Sequence, residues 1–229
     1  HDFTCWNDTL YECNSYNSYE WRGNRLSRTT FIVLALKLGL SLVSTPILGG
    51  WSPDDETSLV AWYQKEVGIT LNGSDVSEWA DSSSNSYDMK QGVSNEQPAY
   101  SGGVLTFDST EPEDNLELDG TQISLTGDFT IGLRINTSTL NGAFLSDNSS
   151  TGEYFKYSST SRISFKIANS SVTVLDLDSG TFGDDYLVIT RLSNVLTLYK
   201  NGVNQTGTTP TLAGTLLLDV IGLRQEDKV

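Results

Sequence analysis

The strongest constraint on this chain is a β-type alternation that recurs between Leu59 and Leu223, with almost no helical pattern in between. In Phe129-Thr130-Ile131-Gly132-Leu133-Arg134-Ile135, apolar side chains occupy every second position. Such a segment has one wet face and one buried face. Arg162-Ile163-Ser164-Phe165-Lys166-Ile167 repeats the alternation, as does Val195-Leu196-Thr197-Leu198-Tyr199-Lys200, which runs straight into Asn201-Gly202. A type I′ turn needs positive φ at both central residues, so Asn-Gly after an alternating run predicts a hairpin.

Strands are further expected over Leu59–Tyr63, Val76–Trp79, Val104–Phe107, Leu116–Leu118, Ala143–Ser146, Tyr154–Tyr157, Val172–Leu175, Leu187–Thr190 and Leu216–Leu223. Clusters of Gly, Asn, Asp and Ser separate them. About a dozen short strands predict an all-β fold of two packed antiparallel sheets, of jelly-roll type. No fixed period repeats, which argues against propellers and solenoids.

The chain has 229 residues, room for one large β-domain and an appendage. Its net charge of −15 is unevenly placed. Residues 1–50 carry four acidic and four basic side chains, whereas residues 51–229 carry 25 acidic and 10 basic. Phosphate binding needs concentrated positive charge, so no nucleic acid partner is expected. The plain meaning of the negative surface is solubility and mutual repulsion.

The first 50 residues differ from the rest. Phe3, Trp6, Tyr11, Tyr16, Tyr19 and Trp21 crowd a polar segment too short to bury them in a core of its own. Phe31 to Val43 is apolar apart from Lys37, Gly39 and Ser41, and follows Arg22, Arg25 and Arg28. It is too short to cross a bilayer, and no membrane partner is expected. It has the make-up of a secretion signal, but it sits behind 20 polar and aromatic residues, whereas such a signal begins at the terminus. A short helix is predicted instead. Ser27, Thr29 or Thr30 would cap it, and Pro46 and Gly49-Gly50 would end it. Residues 1–50 thus read as an extended, partly helical arm that docks on a partner surface through the six aromatics above and Phe31, Leu34 and Leu38. Folding back onto the β-domain is the competing expectation. Cys5 and Cys13 either close a short-loop disulfide or stay a free pair. With one His, at position 1, they cannot build a tetrahedral zinc site within one chain.

Several motifs in the acidic region occur in a telling order. Leu59-Val60-Ala61-Trp62-Tyr63 precedes Gly68-Ile69-Thr70, Val76-Ser77-Glu78-Trp79-Ala80-Asp81-Ser82-Ser83, Gln97-Pro98-Ala99-Tyr100 and Val104-Leu105-Thr106-Phe107-Asp108. Leu125-Thr126-Gly127-Asp128-Phe129-Thr130-Ile131 and Leu198-Tyr199-Lys200-Asn201-Gly202 follow. Over roughly residues 52 to 224 this order resembles the concanavalin A-like, laminin-G-like jelly rolls, which host many functions. It looks closest to those in virion structural proteins of marine and cyanobacterial tailed phages, and the arm from Arg28 to Pro46 looks like their leader. The resemblance implies a sandwich over residues 51–229. It also implies a closing strand after Val220-Ile221-Gly222-Leu223-Arg224, so the sandwich is expected to lack its last strand or to receive one from a neighbour.

Such folds support several chemistries, and each asks for particular residues. Related β-glucan hydrolases place Glu-x-Asp-x-Glu on one strand, aiming carboxylates into one groove. Glu117-Leu118-Asp119 begins that pattern, but Gly120-Thr121 follows. A Ser–His–Asp triad is ruled out because the single His is terminal. Asp108, Glu111, Glu113 and Asp114 are hard oxygen donors of the kind calcium takes, but they read as a solvated acidic turn, so no metal or cofactor is expected. Trp62, Trp79, Tyr87, Tyr154 and Tyr157 are candidates for stacking on a sugar. Of these, Trp62 and Trp79 sit in strand patterns and read as core, and Tyr87 between Asn85 and Asp88 is the best placed. The expectation is a non-enzymatic virion protein, oligomeric and anchored by its arm to major capsid, portal or tail proteins. A lectin-like module for a host-surface glycan is the alternative.

Overall fold

The protein is described through a computed structural model covering residues 30–34, 52–108, 112–136, 142–148, 152–167 and 172–222, with residues 30–34 described by their backbone alone. The strands in chain order begin with β1 (Thr30–Leu34), β2 (Leu59–Tyr63), β3 (Ile69–Asn72), β4 (Asp75–Trp79), β5 (Met89–Lys90), β6 (Ala99–Ser101) and β7 (Val104–Thr106). Next come β8 (Asn115–Leu118), β9 (Ile123–Thr126), β10 (Phe129–Asn136), β11 (Ala143–Ser146), β12 (Tyr154–Ser159) and β13 (Arg162–Lys166). The remainder are β14 (Thr173–Asp176), β15 (Asp184–Leu192), β16 (Val195–Lys200), β17 (Val203–Gln205), β18 (Thr215–Leu218) and β19 (Val220–Gly222). No α-helix occurs among the described residues, and the fold is all-β.

Three sheets form. A six-stranded sheet runs β17-β16-β15-β10-β1-β2. An eleven-stranded sheet runs β14-β13-β12-β11-β19-β8-β5-β4-β6-β7, with β3 attached to β4. A small sheet pairs β18 with β9. Pairing is antiparallel throughout the described strands except at β1, which runs parallel to both β10 and β2.

The alternation in the sequence is what builds the core. Phe129, Ile131 and Leu133 of β10 are buried, as are Leu187 and Ile189 of β15 and Leu196 and Leu198 of β16. Ile163 and Phe165 of β13 do the same for the larger sheet, with the Phe165 ring stacked on Phe155 at 5.5 Å. Side chains of all three sheets join one buried apolar cluster. Each large side chain in it contributes roughly 1.5–3 kcal/mol relative to exposure. Trp79 is fully buried against Tyr63, and its indole N–H donates to the Gln64 carbonyl at 3.0 Å. The expected Asn201-Gly202 hairpin is present between β16 and β17, with φ of 50° and 79°.

Two expectations change. The helix expected from Phe31 begins instead as a strand, β1. Thr30, Ile32 and Val33 are β-branched and Phe31 is aromatic, types that suit a pleated surface, and two strands flank the place they take. Phe31 and Leu34, read as partner-docking residues, thus have their backbones in a sheet of their own chain. The rest of that segment, including Leu38, lies outside the described residues, as do Phe3, Trp6, Tyr11, Tyr16, Tyr19, Trp21, Cys5 and Cys13. Second, the single strand expected over Leu216–Leu223 is two, β18 and β19, broken at Asp219. Asp219 takes its partners from elsewhere: its N–H donates to the Ser146 carbonyl and its carbonyl accepts the Leu118 N–H. The chain passes there from the small sheet to the eleven-stranded one.

Candidate functional site

The polar residues do three kinds of work: they close sheet margins, line a cleft, and gather where β8, β11 and β19 meet. The outer margin of β2 is covered by the loop after β4. Asp81 Oδ1 accepts the Trp62 N–H at 2.7 Å, and the Ser82 N–H donates to the Trp62 carbonyl. Asn85 Nδ2 donates to the Leu59 and Val60 carbonyls at 3.1 and 2.9 Å. Asp88 in turn accepts the Asp81 N–H at 2.9 Å. The outer margin of β14 is closed differently. The Thr208 hydroxyl accepts the Asp176 N–H at 2.8 Å and donates to the Val174 carbonyl at 3.1 Å. One side chain thereby takes up a backbone donor and a backbone acceptor that a further strand would use. Two residues after Asp176, Asp178 accepts the backbone N–H and hydroxyl of Thr206, which hold its carboxyl below the usual range.

The cleft has a volume of about 370 Å³ and lies beside β4, β6 and β7. Asp75, Asn95, Gln97, Thr106, Asp108 and Asp114 are among its walls. The acidic turn expected to be solvated is so only in part: Asp108 is exposed, whereas Glu113 and Asp114 are buried. Asp114 Oδ2 accepts the Asp108 N–H at 2.8 Å, and the Asp114 N–H donates to the Asp108 carbonyl at 3.0 Å. This reciprocal pair pins the loop, and burial pushes the Asp114 carboxyl up. Glu111 lies outside the described residues. Among the described residues, no group of three or more His, Cys, Asp or Glu is arranged to hold a metal ion.

The third group includes Glu117, the residue that opens the hydrolase-like motif. Glu117 accepts from Asn148 Nδ2 at 3.0 Å. Gln122 Nε2 bridges Asp147 at 2.8 Å and Asp219 at 3.0 Å, and Asp219 also accepts the Asn148 N–H. Burial, then the charges of Asp219 and Glu96, push the Glu117 carboxyl up. Asp119 lies beyond the end of β8, so it does not share the strand face of Glu117.

The five sugar-stacking candidates are not brought together. Trp79 and Tyr157 are buried in the core. Tyr87 packs against the core, and the Lys156 ammonium sits 5.0 Å from the Tyr154 ring. Trp62 is half-buried on β2 rather than in the core. The residues that organise the margins and carboxylates, namely Asp81, Asn85, Gln122, Asn148 and Thr208, carry no sequence pattern that sets them apart from ordinary loop residues.

Comparison with known protein families, curated proteins and solved structures finds no match to this chain. The fold and site together define an all-β protein with mainly antiparallel sheets, side-chain-covered margins at β2 and β14, and a polar, acid-rich cleft.

Proposed function

We propose that this chain is a non-enzymatic virion structural protein, a capsid decoration, cement or fibre component of a phage particle, with a concanavalin A-like jelly-roll body. The single observation that carries this reading is the division of the chain. The acidic region from residue 52 onward buries one apolar core among the described residues, and the charge-balanced, aromatic-rich segment before it joins that body's sheet through β1. Two large sheets sharing one core, and the order of motifs along them, support the jelly roll. The mechanism is burial: rings that cannot shelter in so short a segment gain about 25 cal/mol per Å² when a capsid, portal or tail protein covers them. The anionic body stays in solvent, and copies of the chain assemble as a homo-oligomer on the particle.

Because β1 is central in its sheet, the test removes residues 1–29 only. The truncated protein should remain folded and fail to join particles. Incorporation at the wild-type level would refute anchoring by the arm. A second reading, a lectin-like module for a host glycan, is favoured by the cleft, whose amides and carboxylates suit hydroxyl groups. Glycan-array binding abolished by Asn95→Ala would establish it.

A further inference from the structure

The same dipeptide occupies two hairpin turns under opposite restraint. The sequence holds three Asn-Gly pairs, at Asn72, Asn141 and Asn201, and Asn141 lies outside the described residues. Asn is a thermolabile side chain, and a following glycine puts no side chain in front of its own nitrogen, the atom that attacks the amide. At Asn201 both ends of the amide are held. Its Oδ1 accepts the Tyr186 N–H at 2.8 Å, and its Nδ2 donates to the buried carboxylate of Asp185 at 2.7 Å. The amide carbon cannot swing toward Gly202 without breaking both bonds.

Asn72 ends β3, and the turn to β4 is exposed over residues 71–74. Gly73 has φ +71°, and among the described residues no acceptor takes its N–H. Among those residues a single bond holds the Asn72 amide, from Nδ2 to Gln97 Oε1 at 3.0 Å. That bond opens a chain of amides. Gln97 Nε2 donates to the Gln91 carbonyl at 2.6 Å, and Gln91 Nε2 donates to Asn115 Oδ1 at 2.7 Å. Gln97, Gln91 and Asn115 are buried, and Gln97 is also a wall of the cleft beside β4, β6 and β7. The chain has a fixed direction. A backbone carbonyl only accepts, so Gln97 must turn its amide nitrogen to Gln91 and its oxygen to Asn72.

We infer that Asn72-Gly73 is a self-modification site, which needs only water besides the chain and whose conversion rewires the wall of the cleft. The Gly73 nitrogen gives up its proton and bonds to Asn72 Cγ, while the Cγ–Nδ2 bond breaks and Nδ2 leaves with that proton as ammonia. Water then opens the cyclic imide. Cleavage of the new bond leaves aspartate at position 72, and cleavage at the other carbonyl reroutes the backbone through the side chain as isoaspartate. The aspartate form sets a carboxylate, which only accepts, against Gln97 Oε1, which also only accepts. Gln97 can then satisfy the turn or Gln91, but not both. The added charge also faces a cleft already walled by Asp75, Asp108 and Asp114.

The test ages the full chain in mildly alkaline heavy-oxygen water and maps its peptides by mass spectrometry. The peptide carrying position 72 should gain one labelled oxygen and split into aspartyl and isoaspartyl forms. The peptide carrying Asn201 should convert at least about tenfold more slowly, because two bonds, one of them to a carboxylate, hold its amide. In urea, where neither amide is held, the two should convert at similar rates. Equal conversion in the folded protein, the same ranking in urea, or no label at position 72 while the urea sample takes it up would each overturn the site. The rewiring is read by NMR in Asn72→Asp. The side-chain amide signals of Gln97 and Gln91 should move while that of Asn201 stays. Unmoved Gln97 and Gln91 signals would overturn the rewiring. If the variant does not fold, the aged protein itself gives the same reading.

Discussion

Arg191 lays its guanidinium over the ring of Phe129, 4.6 Å from the centroid, while both are buried in the sheet that carries them. From there its three nitrogens reach the carbonyls of Gly127 at 2.6 Å, Gly214 at 2.7 Å and Leu125 at 3.3 Å. Those carbonyls belong to β9 and to the turns that flank β9 and β18. One side chain of β15 therefore ties the small sheet to the six-stranded one. Burial lowers the Arg191 pKa, and the nearby Asp128 opposes that shift. Truncation to Arg191→Met removes three charge-assisted bonds and should cost about 3 kcal/mol. Urea denaturation measures it. Arg191→Lys should not restore stability, because one ammonium cannot match the planar fork. A fully stable lysine variant would show that the charge alone suffices.

Gly222 offers a steric test of how β19 is seated. It has φ +97°, and an added Cβ would lie 2.2 Å from the Phe107 ring and 3.1 Å from the Asp114 carbonyl. Gly222→Ala should destabilise the protein by at least about 2 kcal/mol. Thermal unfolding would register this as a clear drop in midpoint.

Thr208→Val keeps the shape of the side chain and removes the hydroxyl that covers Asp176 and Val174. The stability loss should be modest, about 1 kcal/mol. The larger effect should be self-association through the bared margin of β14, read by light scattering against concentration. A variant as monodisperse as its parent would assign that protection to other groups.

The pH dependence has a definite sign. Burial keeps the Glu117 carboxyl above its ordinary 4.5, with Asp219 and Glu96 adding repulsion and the Asn148 bond opposing. In the folded protein this group holds its proton at pH values where the open chain has lost it. Its contribution is full below the ordinary value and is lost as pH rises through the raised one. Asp114, held above 3.8 mainly by burial, acts in the same direction. Glu117→Gln should therefore flatten the decline in stability measured as pH rises above the ordinary carboxylate range. An identical profile in the variant would mean that Glu117 titrates as it does in the open chain.

What could be read from the residues alone follows from how each element is specified. The segments around Phe129, Ile163 and Leu196 announce themselves because burial of one face imposes a two-residue period. Met89–Lys90 and Ala99–Ser101 are too short to show any period, and β3 is mostly exposed, so pairing with neighbours rather than pattern creates these strands. Ile123-Ser124-Leu125-Thr126 does alternate, with Ile123 and Leu125 buried, and was open to the same reading. Phe31 onward is an unbroken apolar run, which suits helix and strand alike, and neighbours far along the chain decide between them. Glu113 and Asp114 look like solvated loop residues because nothing local reveals that β19, far along the chain, brings Gly222 against the Asp114 backbone.

The side chains that sit along the rim of β2 have a consequence at the scale of populations. Carboxylate and amide groups from Asp81 and Asn85 end that sheet chemically on its β2 side, as a capped polymer end stops growth. Crowded shoulder to shoulder at high local density, such bodies cannot template fibrils from one another along the β2 rim.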